Sequence, residues 1–155
     1  MFYKVGFYVL LILLLGMILF FMSMNPMKTE GAASWIDLYS NDSAATIKFL
    51  KDNFGIEVVN TSKSLVNTDY SVIKANKYPF PFAGVMQIPK DNTELLPHAS
   101  IYLTVKDYDK MHERLVKAGA KPVLDHKVAG GMKFGIYIIP GGLDIGIAQW
   151  GTEFK

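Results

Sequence analysis

The strongest constraint on the fold of this chain is an internal repeat. WIDLYSNDSAATIKFLKDNFGIEVV (residues 35–59) is followed at a distance by SIYLTVKDYDKMHERLVKAGAKPVL (residues 100–124). Each copy opens on a short alternating strand, then sets an aspartate, Asp42 or Asp107, where its carboxylate can accept from the free amides of a helix's first turn. An amphipathic helix follows, with Ile47, Leu50 and Phe54 on one face in the first copy. Tyr108, Met111, Leu115 and Ala118 do the same in the second. Both helices run into a glycine, Gly55 or Gly119, suited to a left-handed helix end. Strand-like stretches come next: 56–60, 68–76 and 82–88 in the first copy, and 121–125, 133–139 and 144–150 in the second. The pattern is β-α-β-β-β, twice, which predicts an α+β domain over residues 34–151 made of modules 34–90 and 97–151. The polar stretch 89–98, bounded by Pro89 and Pro97, reads as their connection. Repeats at such a spacing mark units that bury their faces only by association, so the two modules should share one open, curved sheet with helices outside.

Composition matters mainly at the N-terminus. The 155 residues are 50% hydrophobic with a mean hydropathy of +0.20, and the excess is local. Residues 5–22 (VGFYVLLILLLGMILFFM) carry no charge. As a helix they would rise about 27 Å, close to the roughly 30 Å apolar core of a bilayer. Residues 1–24 are therefore expected to be a single-pass transmembrane anchor or signal segment, and 25–33 a linker with Asn25-Pro26 as a helix stop. Lys4 before the run favours a cytoplasmic N-terminus and an extracytoplasmic domain, while Lys28, partly offset by Glu30, opposes it. A cleaved signal peptide is one alternative, with Gly31-Ala32-Ala33-Ser34 as a distant cleavage candidate. A cytoplasmic protein whose translation starts at Met24 or Met27 is another.

The net charge of +2 is scattered, which argues against a nucleic-acid surface. With no cysteine there is no disulfide framework, no thiolate metal site and no residue for lipid acylation. The histidines, His98, His112 and His126, show no HxH or HxxxH spacing, and single histidines are weak metal signals. His112 is expected on the solvent face of its helix, His98 at a strand entrance and His126 in a glycine-rich loop over 125–132. Gly130-Gly131 lacks the lysine context of a phosphate loop. The stretch KYPFPFAG (77–84) is a candidate lid or a proline-protected edge strand.

WIDLYSND, FGIEV, IYLTVKDYDK, KAGAKPV and IPGGLDIGIAQW, taken in order, resemble the vicinal-oxygen-chelate superfamily of glyoxalase, bleomycin-resistance and dioxygenase-like domains. More narrowly, they resemble the branch of predicted lactoylglutathione-lyase-related proteins. The resemblance implies a concave face where catalytic members hold a divalent metal through the first and last strands of each module. Carried across, those positions fall on Trp35, Ser100, the stretch Gly84 to Met86, and Gly146. Such a set does not ligate a metal, and the turn Ile139-Pro140-Gly141-Gly142-Leu143 lacks the Asp and Asn usual there. Moving the register by one substitutes Ile36, Ile101 and Ile145 or Ile147, which are no better. Ile36, Leu38, Ile101, Leu103 and Val105 are instead expected to form the core beneath the helices.

The expected cleft is lined by Trp35, Asp37, Ser100, Tyr102, Asp144 and Gly146. Asp37 is the weak candidate for a catalytic residue: a carboxylate in mid-strand, facing a partly apolar cleft, must be hydrogen-bonded or have a raised pKa. Pairing with a backbone amide or with a basic neighbour such as Lys74 is the bland account. Tyr70 and Tyr137 could join an aromatic lining, although ordinary sheet packing is the simpler reading for both. Three functions stay open: a cofactor-free pocket for a small organic molecule; a metal-dependent lyase, isomerase or dioxygenase with relocated ligands such as Asp37 and a histidine; and a non-catalytic structural or interaction domain. A homodimer paired through sheet edges fits the resemblance.

Overall fold

A computed structural model describes residues 29–65, 67–92, 94–129 and 131–151. The expected anchor over 5–22 lies outside them, and among the described residues no helix is long and apolar enough to cross a membrane.

The chain alternates as the repeat predicts. The first half holds β1 (Ala33–Ser40), α1 (Ser43–Phe54), β2 (Ile56–Lys63), β3 (Asp69–Ala75) and β4 (Ala83–Gln87). The second holds β5 (His98–Thr104), α2 (Tyr108–Lys117), β6 (Lys121–Ala129), β7 (Met132–Ile138) and β8 (Asp144–Trp150). The helix starts are set by side chains: Asp42 accepts from the Ala45 amide at 2.9 Å and Asp107 from the Lys110 amide at 3.1 Å. Gly55 ends α1 with φ 64°, the left-handed conformation in which a side chain is strained.

All eight strands form one mixed sheet in the order β2-β3-β4-β1-β5-β8-β7-β6. Each module closes on a parallel pair, β1 with β4 and β5 with β8. The modules join along one antiparallel seam, β1 with β5, where Trp35 pairs with Tyr102 and Asp37 with Ser100. Both helices lie on the same side. Under α1 are Ile56, Ile73, Ala83 and Val85, with Ile36 and Leu38. Under α2 are Val105, Tyr108, Tyr137 and Ile147. A third cluster, built on Trp35, Tyr102, Phe134 and Ala148, fills the helix-free side without any helical residue.

Four local expectations are corrected. Ile101 is 46% exposed, not core, because β5 runs between the strands that α1 and α2 cover. Phe54 is 66% exposed and meets Phe49 edge-on instead of the sheet. Segment 77–84 leads into β4, an interior strand, so it is no edge; the proline on an edge strand is Pro122 of β6. Finally, β6 runs on through Ala129 with irregular pairing, placing His126 in a strand and not in a loop.

Candidate functional site

Alternation along the seam strands decides what reaches the helix-free face. Trp35, Asp37 and Tyr39 arrive there from β1, and Ser100, Tyr102 and Thr104 from β5; all six are buried. Asp144, Gly146 and Ala148 arrive from β8, and Gly146 pairs with Tyr102. The structure thus places Trp35, Asp37, Ser100, Tyr102, Asp144 and Gly146 together on one face of the sheet.

Asp37 sits at its centre. Its carboxylate accepts from the Trp35 indole at 2.9 Å and from the Tyr70 hydroxyl at 2.7 Å, and Tyr102 donates as well. Burial pushes its pKa up, and the three donors only partly oppose that. Burial and the Asp37 charge also push the Tyr39, Tyr70 and Tyr102 phenols up, so they remain protonated donors. Lys74 is not the partner of Asp37: its ammonium lies 2.9 Å from Glu57. Tyr70, assigned to ordinary packing by the sequence reading, is one of the three donors. Tyr137 is on the opposite side of the sheet and lines nothing here.

Around this centre the packing is aromatic. Trp35 and Trp150 lie 6.1 Å apart, Tyr102 meets the edge of Phe134, and the Trp150 indole donates to Ser34 at 2.9 Å. The half-exposed rim is polar. Ser100 donates to Asp144, the His98 Nε2 lies 3.5 Å from the same carboxylate, and the His98 ring stacks on Tyr39 at 4.3 Å.

The positions that the resemblance reserves for metal ligands do not fit a metal. They carry an indole, one hydroxyl, and glycines whose side-chain space is filled. A Cβ on Gly84 would stand 2.1 Å from the Tyr70 hydroxyl, and one on Gly146 would stand 2.2 Å from the Tyr102 ring. Two tyrosines occupy the room that ligand side chains from β4 and β8 would need.

A second polar assembly, missed by the sequence reading, lies on the helix side. His112 does not face solvent. Its Nδ1 is 2.9 Å from the Tyr137 hydroxyl and 3.2 Å from Asp125. His126 Nδ1 is 2.8 Å from the same Asp125 oxygen, and its Nε2 is 3.0 Å from Asp109, which Lys133 clamps at 2.6 and 2.8 Å. Tyr108 and Tyr137 also donate to Asp125, at 2.5 and 3.0 Å. Burial raises the Asp125 pKa, but these donors and the neighbouring histidines outweigh it and hold the carboxyl below its ordinary value. The sequence did carry one signal: His112 is four residues beyond the buried Tyr108, on the inward row of the helix.

The sequence matches no family model and no curated protein. Solved structures do match in fold. The domain has the vicinal-oxygen-chelate fold, which it shares with methylmalonyl-CoA epimerases. The epimerase of Mycobacterium tuberculosis superimposes with a TM-score of 0.62 over 81% of this chain and 93% of that one, at 13% identity. A variant of the Streptomyces coelicolor enzyme, solved with 2-nitronate-propionyl-CoA, gives 0.59 over 80% and 100%, at 16% identity. A hypothetical protein from Bacillus halodurans gives 0.60 over 79% and 96%, at 9% identity.

Proposed function

We propose that the domain binds a small, neutral or cationic organic molecule at the helix-free face, without a metal there. The observation that carries this reading is the buried Asp37 carboxylate behind an aromatic layer, with a second carboxylate, Asp144, at the half-exposed rim. Asp37 is met by Trp35, Tyr70 and Tyr102, and Asp144 by Ser100 and His98, so neither faces a lysine or arginine in these contacts. Such a site favours a ligand that donates hydrogen bonds or carries an amine, and disfavours an anion. Solved structures of the same fold hold CoA-derived small molecules, which supports a ligand-binding use of this architecture.

The chain contains two tryptophans, Trp35 and Trp150, and both lie on this face. Intrinsic tryptophan emission is therefore a direct reporter. Titration with arylalkylamines and neutral phenols should give a saturable change, with the matching aryl carboxylates binding at least tenfold more weakly. Asp144→Asn should weaken the amines selectively. Tightest binding by the carboxylates, or no saturable change with any compound, refutes the proposal. A filled, non-catalytic domain is the second reading, favoured by the 7% exposure of Trp35, and it predicts that unresponsive outcome.

The apolar run 5–22 completes the proposal by tethering the domain to a bilayer, on the extracytoplasmic side. Alkaline carbonate should then leave the chain in the membrane pellet; release would favour a start at Met24 or Met27.

A further inference from the structure

We infer that His112, Asp125 and His126 form a divalent metal site on the helix-bearing side of the sheet, on the opposite side from Asp37. The three ligand atoms lie within 4.8 Å of one another, with two of the separations at 2.8 and 3.2 Å. Bonds of about 2.0–2.1 Å to a tetrahedral ion set ligand atoms roughly 3.3 Å apart, close to the two separations from Asp125. Two imidazoles and a carboxylate suit zinc and other borderline divalent ions, with the remaining positions open to solvent or substrate.

Three further observations point the same way. The first is crowding at one oxygen. Asp125 Oδ1 accepts from Tyr108 and Tyr137 and also has a ring nitrogen of His126 at 2.8 Å and of His112 at 3.2 Å, so four polar groups converge on one oxygen. If both histidines turn lone pairs toward an ion, the two tyrosines alone remain as donors to that oxygen. The second is the environment of His126. Its Nε2 faces Asp109, itself held by Lys133, which is the outer arrangement that orients a metal-binding imidazole. The third is backbone strain. Neighbouring residues of a regular strand point to opposite faces, yet Asp125 and His126 both turn toward α2. They do so because pairing is irregular between Leu124 and Lys127, and His126 adopts φ 49°, an uncommon value for a residue with a side chain. Such strain gathers at functional positions.

The test is a calorimetric titration of the full chain, purified through a histidine-free tag, with zinc chloride. One equivalent should bind. His126→Gln should weaken binding by about a hundredfold or abolish it, and Asp109→Asn by about tenfold. Because His126 is 46% exposed at its side chain, its replacement leaves the buried ladder intact. Protection of the wild-type chain from diethyl pyrocarbonate, read residue by residue by mass spectrometry, gives a check that needs no variant. Zinc should shield His112 and His126 and leave His98 reactive. Absence of binding, an affinity unchanged in His126→Gln, or protection centred on His98 overturns the site. The ligand reading of the other face is unaffected by any of these results.

Discussion

Gly146→Ala tests the claim that the helix-free face is closed where the resemblance expects a metal-binding carboxylate. The added Cβ would fall 2.2 Å from Cδ1, 2.5 Å from Cγ and 2.6 Å from Cε1 of Tyr102, well inside van der Waals contact. The ring has little room to retreat. Tyr102 is 1% exposed, packs against Phe134 and donates to Asp37, so moving it disturbs the central hydrogen bonds as well as the packing. Overpacking a well-filled core by one methyl group generally costs 1–3 kcal/mol, and here the near atoms belong to the root of a rigid ring. We therefore expect a loss of about 3 kcal/mol, which in a domain of this size lowers Tm by roughly 10 °C. Urea unfolding followed by circular dichroism, with calorimetric Tm alongside, measures both. Adding Tyr102→Leu to Gly146→Ala should recover part of the loss relative to the sum of the single changes, because the clash then has no partner. A Gly146→Ala domain within about 0.5 kcal/mol of wild type would show that the ring yields freely and that the space beside Gly146 is not filled.

Other expectations follow from the same contacts. The Asp37 carboxyl titrates above its unfolded value of 3.8, so the stability it contributes is fully present below that pH and lost as pH rises through the folded pKa. Asp37→Asn should therefore gain stability relative to wild type as the pH is raised from 3 to 8. Urea titrations across that range would refute this if the difference stayed constant or ran the other way. Tyr137→Phe removes a buried hydroxyl that contacts Tyr108, His112 and Asp125, and should lower stability by about 1–2 kcal/mol in the same assay. Asp42→Ala removes the α1 cap and should lower it by about 1 kcal/mol, an effect that Asp42→Ser should largely restore.

The sequence was most informative where a residue's role depends on near neighbours. The caps Asp42 and Asp107 were readable because capping is a contact over three residues. The face shared by Trp35, Asp37 and Tyr39 was readable because strand alternation is a two-residue rule. What failed depended on distant partners. Nothing near Ile101 says that its strand passes between two helices, and nothing near Lys74 says that Glu57, across the β2–β3 ladder, would engage it. Tyr70 joins Asp37 only through the β3-β4-β1 order. The grouping of His112 with Asp125 and His126 needed both the docking of α2 and an irregularity in β6 that breaks alternation, so no spacing rule reaches it.

The seam between the modules also governs how this molecule can change in length. One residue inserted into β1 or β5 would exchange the row Trp35, Asp37, Tyr39 with the row Ile36, Leu38, emptying both sides of the sheet at once. The turns at 77–81 and 140–142 lie between the last backbone bonds of their strands, so growth or loss there leaves the pairing intact. Natural relatives of this chain should therefore differ in size at those connections while β1 and β5 keep a fixed length.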